Sequence, residues 1–166
     1  MVRRFRGESH HKVDAKGRVS IPASFRRVLE AGDPNWTDGL NPELVIVYGD
    51  ERRKQLECFT MDAIADVERR IEKMPRGSKK RKALQRLYNT QSLPTSVDDT
   101  GRLVLPQKLR EKIDLDNMAF FAGNGDTFEI WKPETYETEM DADLEGDDEF
   151  DPEADPSIYL DGEEEG

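Results

Sequence analysis

A ten-residue stretch near the amino terminus returns 84 positions later in one unbroken register: Val13-Asp-Ala-Lys-Gly-Arg-Val-Ser-Ile-Pro22 lies over Val97-Asp-Asp-Thr-Gly-Arg-Leu-Val-Leu-Pro106. Val13/Val97, Asp14/Asp98, Gly17/Gly101, Arg18/Arg102 and Pro22/Pro106 are identical, and Arg26/Arg110 continues the match. Apolar character is kept at Val19/Leu103, Ile21/Leu105 and Phe25/Leu109. Without a gap, the same register pairs Gly39 with Gly123, Leu44 with Phe128, Ile46 with Ile130 and Val47 with Trp131. Chance rarely holds one register over about 35 residues, so the chain is read as a duplicated unit. With 166 residues it has room for one ordinary domain or two very small ones.

Each copy has a legible local structure. A short strand leads into Asp-x-x-Gly-Arg, a turn in which the Asp carboxylate accepts backbone N–H groups just ahead and Gly supplies positive φ. A second strand follows, with Val19 and Ile21, or Leu103 and Leu105, alternating. Proline then suits a helix start, because its missing N–H costs nothing there. The spacing predicts helices over Ala23–Glu30 and Gln107–Lys112. Two further strands are expected to close each copy. In the second they are Met118–Ala122 and Thr127–Trp131, joined by Gly123-Asn-Gly-Asp126. In the first they are Leu44–Tyr48 and a more irregular segment around Trp36–Leu40.

Between the copies, Leu56, Phe59, Ala63, Val67, Ile71 and Met74 recur at spacings of three or four, which predicts one amphipathic helix. Pro75-Arg-Gly77 breaks it, and Ser78 is placed to cap a second helix running to about Tyr88. The expected organisation is therefore a first unit over 1–50, a helical hairpin over 51–90, a second unit over 91–140 and a tail over 141–166. That tail holds 13 Asp or Glu and no Lys or Arg, a composition that predicts disorder.

The charge of −11 for the whole chain argues against a nucleic-acid partner until the tail is set aside. Residues 1–140 carry 25 basic and 23 acidic groups, with 12 Lys or Arg against 6 acids between Glu51 and Tyr88. No window approaches the roughly 20 apolar residues of a membrane span. The start of the chain lacks the apolar stretch of a signal peptide. One cysteine, Cys58, cannot form an internal disulfide, and a reducing cytoplasm is expected. No Ser-His-Asp order, phosphate-cradling glycine loop or paired-carboxylate pattern is present, so neither catalysis nor a cofactor is expected. His10-His11 lacks a third ligand at suitable spacing, and no metal is expected.

The paired Asp-x-x-Gly-Arg…Pro units resemble the swapped-hairpin unit of AbrB-like DNA-binding proteins. Two of them on one chain, introduced by Phe5-Arg6-Gly7 and separated by helical sequence, resemble the MraZ family of bacterial transcriptional regulators over about residues 5–140. The resemblance implies an α+β fold: a duplicated AbrB-like swapped-hairpin β-barrel with a helical insertion, here followed by a disordered acidic tail. It further implies a ring-forming homo-oligomer that binds double-stranded DNA at promoter direct repeats ahead of its own division and cell-wall operon. A cytoplasmic, nucleoid-associated protein follows from that.

Arg6, Lys16, Arg18 and Arg102 are the candidate DNA-contacting residues, with Asp14, Gly17, Asp98 and Gly101 orienting them. Arg18 and Arg102 follow a glycine turn, where a guanidinium reaches a base edge or a phosphate. The alternative is an internal pair, Arg18 with Asp14 and Arg102 with Asp98, that only fastens the turn; both can hold at once. The second motif has Asp99-Thr100 in place of Ala15-Lys16, so the two copies are expected to differ in affinity. Arg3, Arg4, His10, His11 and Lys12 extend the basic run, and Lys79-Lys-Arg-Lys82 forms the densest cationic cluster, for DNA backbone or for a neighbouring acidic surface. Trp36, Phe120, Phe121, Phe128 and Trp131 read as core or subunit contact. The rival class is an antitoxin-like or other protein-interaction module.

Overall fold

The computed structural model describes residues 4–145 and 151–160. In chain order the strands are β1 (Glu8–Lys12), β2 (Arg18–Ser20), β3 (Glu43–Val47), β4 (Leu56–Thr60), β5 (Ser92–Ser96), β6 (Arg102–Val104), β7 (Met118–Gly123) and β8 (Thr127–Trp131). The helices are α1 (Ala23–Ala31), α2 (Met61–Glu72), α3 (Lys79–Gln85), α4 (Gln107–Lys112) and α5 (Pro133–Glu145), with a π-turn over Arg86–Thr90 after α3. No helix among the described residues is long and apolar enough to cross a membrane. The chain divides into two compact units, Met1–Pro133 and Glu134–Gly166.

In the first unit the two copies interlock. One antiparallel sheet runs β1-β7-β8-β4-β3-β5, so the leading strand of each copy pairs inside the half built by the other, and β2 pairs with β6 in a separate two-stranded ribbon. The sheet is open. Its edges β1 and β5 are not bonded to each other, which corrects the expectation of a closed barrel. The ribbon instead packs its inward residues Val19 and Leu103 into the same core as Leu44, Ile46, Leu56, Cys58, Phe121 and Ile130. Phe5, 1% exposed, anchors the amino terminus there: its ring lies 5.2 Å from Phe25 and 5.0 Å from Phe128. On the other face of the sheet, Val45, Val47 and Phe59 are covered by α2 and the π-turn through Ile64, Val67, Leu87 and Tyr88.

Pairing also corrects the repeat. Glu8 and Ser92, 84 apart, pair with Ala122 and Val47, so Val47 corresponds to Ala122, a shift of 75. Those residues pair in turn with Glu57 and Glu129, a shift of 72. The register of 84 therefore ends after the helices, because the connection from helix to sheet spans residues 32–42 in the first copy and only 113–117 in the second. The matches of Leu44, Ile46 and Val47 to Phe128, Ile130 and Trp131 set β3 against β8, which is not its counterpart, and arose because both strands are apolar runs buried on both faces, which agree at any offset.

The irregular strand expected at Trp36–Leu40 is a loop, closed by the Trp36 indole donating to the Leu40 carbonyl at 2.7 Å. Its place is taken by β3, the counterpart of β7, and the counterpart of β8 is β4. Leu56 and Phe59 belong to that strand and not to the helix predicted over them: flanked by β3 and β8, β4 buries residues on both faces, and the helix starts only where Thr60 accepts the Ala63 N–H at 3.0 Å. Pro22 and Pro106 occupy the N-cap positions of α1 and α4.

The described part of 141–166 departs from the predicted disorder. Residues 141–145 complete α5, whose run of Glu, Met, Ala and Leu favours helix, and Pro156–Tyr159 form a 3₁₀ turn capped by the Asp155 carboxylate on the Ser157 N–H. The remainder of that expectation lies outside the described residues.

Candidate nucleic-acid interface

Both predicted turns form, and in nearly the same way. The Asp14 carboxylate accepts the Lys16 and Arg18 N–H groups at 3.0 and 2.9 Å, while its carbonyl accepts Gly17 N–H. The Asp98 carboxylate accepts Thr100 and Arg102 N–H, both at 2.9 Å, and its carbonyl accepts Gly101 N–H. Gly17 and Gly101 take φ of +84° and +78°, the left-handed region the turn requires. Each glycine carbonyl then bonds to the other copy: Leu105 N–H donates to Gly17 at 2.8 Å and Ile21 N–H to Gly101 at 3.0 Å. The turns thus flank the two ends of the ribbon.

The ribbon fixes where the arginines point. With Val19 and Leu103 inward, Arg18, Ser20, Arg102 and Val104 face out. Arg18 stands opposite Val104 and Arg102 opposite Ser20, so the two arginines sit on a diagonal, roughly 7–8 Å apart by antiparallel geometry. Each guanidinium is held at one corner only. Arg18 Nε donates to Asp14 at 2.6 Å; Arg102 Nε donates to the Thr100 hydroxyl at 2.8 Å and stands 3.6 Å from Asp98. The internal pair and an outward arginine therefore coexist, with the Nη groups of both side chains unbonded among the described residues. Lys12, Asn117 and Met118 border the same shallow concavity.

Two arginines from the helices brace this assembly, a role the sequence reading did not assign. Arg26 Nη1 donates to the Asp98 carbonyl at 2.6 Å, and Arg110 Nε donates to the Leu105 carbonyl at 2.9 Å, beside Gly17. Their identity in the repeat was the available signal.

The other candidates lie elsewhere. Lys16 is exposed at the tip of the first turn, next to the ribbon. Arg6 is exposed beyond the far end of β1, about 17 Å of strand away from the turn. The lysine cluster is on α3, which follows α2 on the sheet face opposite the ribbon's core, and Arg81 is spent there on the Met74 carbonyl at 2.7 Å. His10 and His11 point to opposite faces of β1, against Phe120 and Phe121. Burial, and secondarily the charge of His10, lowers the His11 pKa.

The backbone N–H of Arg18, foremost, holds the Asp14 carboxyl below its ordinary range, and that of Arg102 does the same for Asp98. Lowered folded values mean that each turn's contribution to stability is full above the unfolded pKa near 3.9 and is lost as pH falls through the folded value. A carboxyl-detected NMR titration is expected to place both midpoints below 3.9; a midpoint at or above it would show that the carboxylates do not receive these bonds.

Comparison with known proteins identifies a family. Residues 4–87 and 93–154 match the family profile described as "MraZ protein, putative antitoxin-like". The chain is 68% identical over 163 residues to the Transcriptional regulator MraZ of Ruegeria sp. (strain TM1040), covering 98% of each chain. It is 66% identical over 163 residues, again 98% of each, to that of Ruegeria pomeroyi. Against the same-named protein of Roseiflexus sp. (strain RS-1), identity is 34% over 138 residues, 83% of this chain and 87% of the relative. The profile covers nearly the whole of the interlocked unit and the relatives extend that likeness end to end: the chain belongs to the MraZ family.

Proposed function

We propose that this chain is a transcriptional regulator that binds double-stranded DNA through the solvent face of the β2–β6 ribbon. The observation that carries the reading is the pair of arginines on one face of a two-stranded ribbon, each fixed through Nε with its Nη groups unbonded among the described residues. A major groove admits a two-stranded ribbon, and an arginine so presented fits the two acceptors of guanine. A diagonal of roughly 7–8 Å corresponds to about two base-pair steps. The names of the relatives support transcription as the setting. In this reading the chain acts in the cytoplasm on the nucleoid, represses its own operon by occupying promoter direct repeats, and does so without catalysis. One ribbon makes few contacts, so affinity rises mainly when adjacent subunits of a homo-oligomeric ring meet adjacent repeats.

The test is a mobility shift with DNA from immediately upstream of its own gene. Binding is expected to be retained against random competitor and to weaken steeply with salt. Light scattering on the same sample is expected to return a mass several times 19.1 kDa. A monomer that leaves the fragment unshifted at low salt would instead support the antitoxin-like interaction module.

A further inference from the structure

The ribbon's outward face is nearly two-fold symmetric, and one residue breaks the symmetry. Arg18 and Ser20 on β2 correspond to Arg102 and Val104 on β6. Val104 is 45% exposed and lies directly opposite Arg18, whereas the inward residues of the same ribbon, Val19 and Leu103, are 1% and 0% exposed. Single exposed valines are ordinary on protein surfaces. This one differs in having an arginine across from it and another two positions back on its own strand, on a face that the packing leaves open. The fold itself accommodates a polar residue at the equivalent place, since Ser20 stands there on β2.

We propose that Val104 is a sequence-reading residue that takes the 5-methyl group of a thymine in the major groove, beside the bases met by Arg18 and Arg102. The assignment rests on the DNA reading above and adds to it a base identity and a direction. A valine side chain has no donor or acceptor, so the base feature it recognises in the groove is the thymine methyl. Serine offers a hydroxyl to either kind of base edge. The turns differ in the same sense. The Val104 end of the ribbon adjoins the turn carrying Lys16, and the Ser20 end adjoins the turn carrying Asp99 and Thr100. One end is thus basic and methyl-reading, the other acidic and polar. A ribbon with unlike ends matches a non-palindromic step and fixes the orientation of each subunit on it.

The experiment uses the full chain and a duplex enriched by it from a random-sequence library. Each thymine is replaced singly by deoxyuridine, which pairs identically but lacks the methyl group. Wild type is expected to lose about three- to fivefold in affinity at one thymine per ribbon footprint, the worth of about one buried methyl. Val104→Ser is expected to bind the parent duplex as weakly as wild type binds the deoxyuridine duplex, and to ignore that replacement. Val104→Thr, which keeps a methyl in place, is expected to retain the discrimination. Because the position is exposed, neither variant should shift the melting temperature. An enriched duplex with no deoxyuridine-sensitive position, or a Val104→Ser that still discriminates, overturns the assignment while leaving DNA binding intact. A fall in assembly mass in Val104→Ser overturns it in favour of a subunit contact. Failure to enrich any duplex overturns the DNA reading itself and this assignment with it.

Discussion

Gly17→Ala is expected to destabilise the protein far more than Gly101→Ala, although the two glycines hold the same place in the same motif. Both have left-handed backbone, with φ of +84° and +78°, and any other residue there costs about 1–2 kcal/mol. At Gly101 that is the whole effect, because an added Cβ meets nothing within 4 Å. At Gly17 the Cβ would overlap the Leu105 carbonyl oxygen and stand 2.9 Å from Arg110 Nε. Neither neighbour can yield freely. The Leu105 carbonyl holds the Arg110 guanidinium at 2.9 Å, and the Leu105 N–H is bonded back to Gly17 itself at 2.8 Å. Relieving the overlap means moving the end of β6 or releasing the brace, a further 1–3 kcal/mol or so by the measure of overpacked sites. At about 2–4 °C per kcal/mol for a chain of this size, Gly17→Ala should melt several degrees below Gly101→Ala. Equal melting temperatures would mean that the first turn does not press on the second copy's ribbon strand as described.

That inequality marks where the sequence stops being informative. The turn was legible because its chemistry is local: an Asp to accept N–H groups, a Gly for positive φ, and an alternating strand after it. The helix starting at Gln107 and the strand Thr127–Trp131 were legible for the same reason. The interlocking was not. Whether β1 pairs within its own copy or with β7 depends on contacts more than 100 residues apart, and no local pattern encodes them. The false continuation of the repeat beyond α1 had a definite origin, because β3 and β8 are both apolar runs buried on both faces and such runs match at any offset, and the pairing of Glu57 with Glu129 is visible only once both strands are in one sheet. β4 was read as helix because Leu56 and Phe59 are three apart, a spacing that a strand buried on both faces also permits. At the candidate interface, Asp14, Gly17, Arg18 and their counterparts were legible as a motif. Ser20 and Val104 were not, since only the pairing of β2 with β6 puts them on the arginine face.

Arg18→Ala is expected to weaken binding to the operator by about 1–3 kcal/mol, the worth of a guanidinium reading a base edge. Arg102→Ala should do less, and the geometry gives the reason. Arg18 is held by a charged partner, Asp14, at 2.6 Å, which fixes its plane before DNA arrives. Arg102 is held by a neutral hydroxyl, with Asp98 back at 3.6 Å, and must give up more freedom on binding. The double variant should lose close to the sum, because side chains roughly 7–8 Å apart with separate partners couple weakly. Random DNA separates base reading from charge. Lys16→Ala, which removes a lysine from the turn tip, should weaken operator and random DNA alike and reduce the salt slope by about one. Arg18→Ala should weaken the operator far more than random DNA. Equilibrium titrations at two or three salt concentrations, with melting temperatures for each variant, decide the matter. If Arg18→Ala binds the operator as wild type does while its melting temperature falls, then the bond to Asp14 is the whole of what Arg18 does, and the ribbon face meets DNA through some other side chain or not at all.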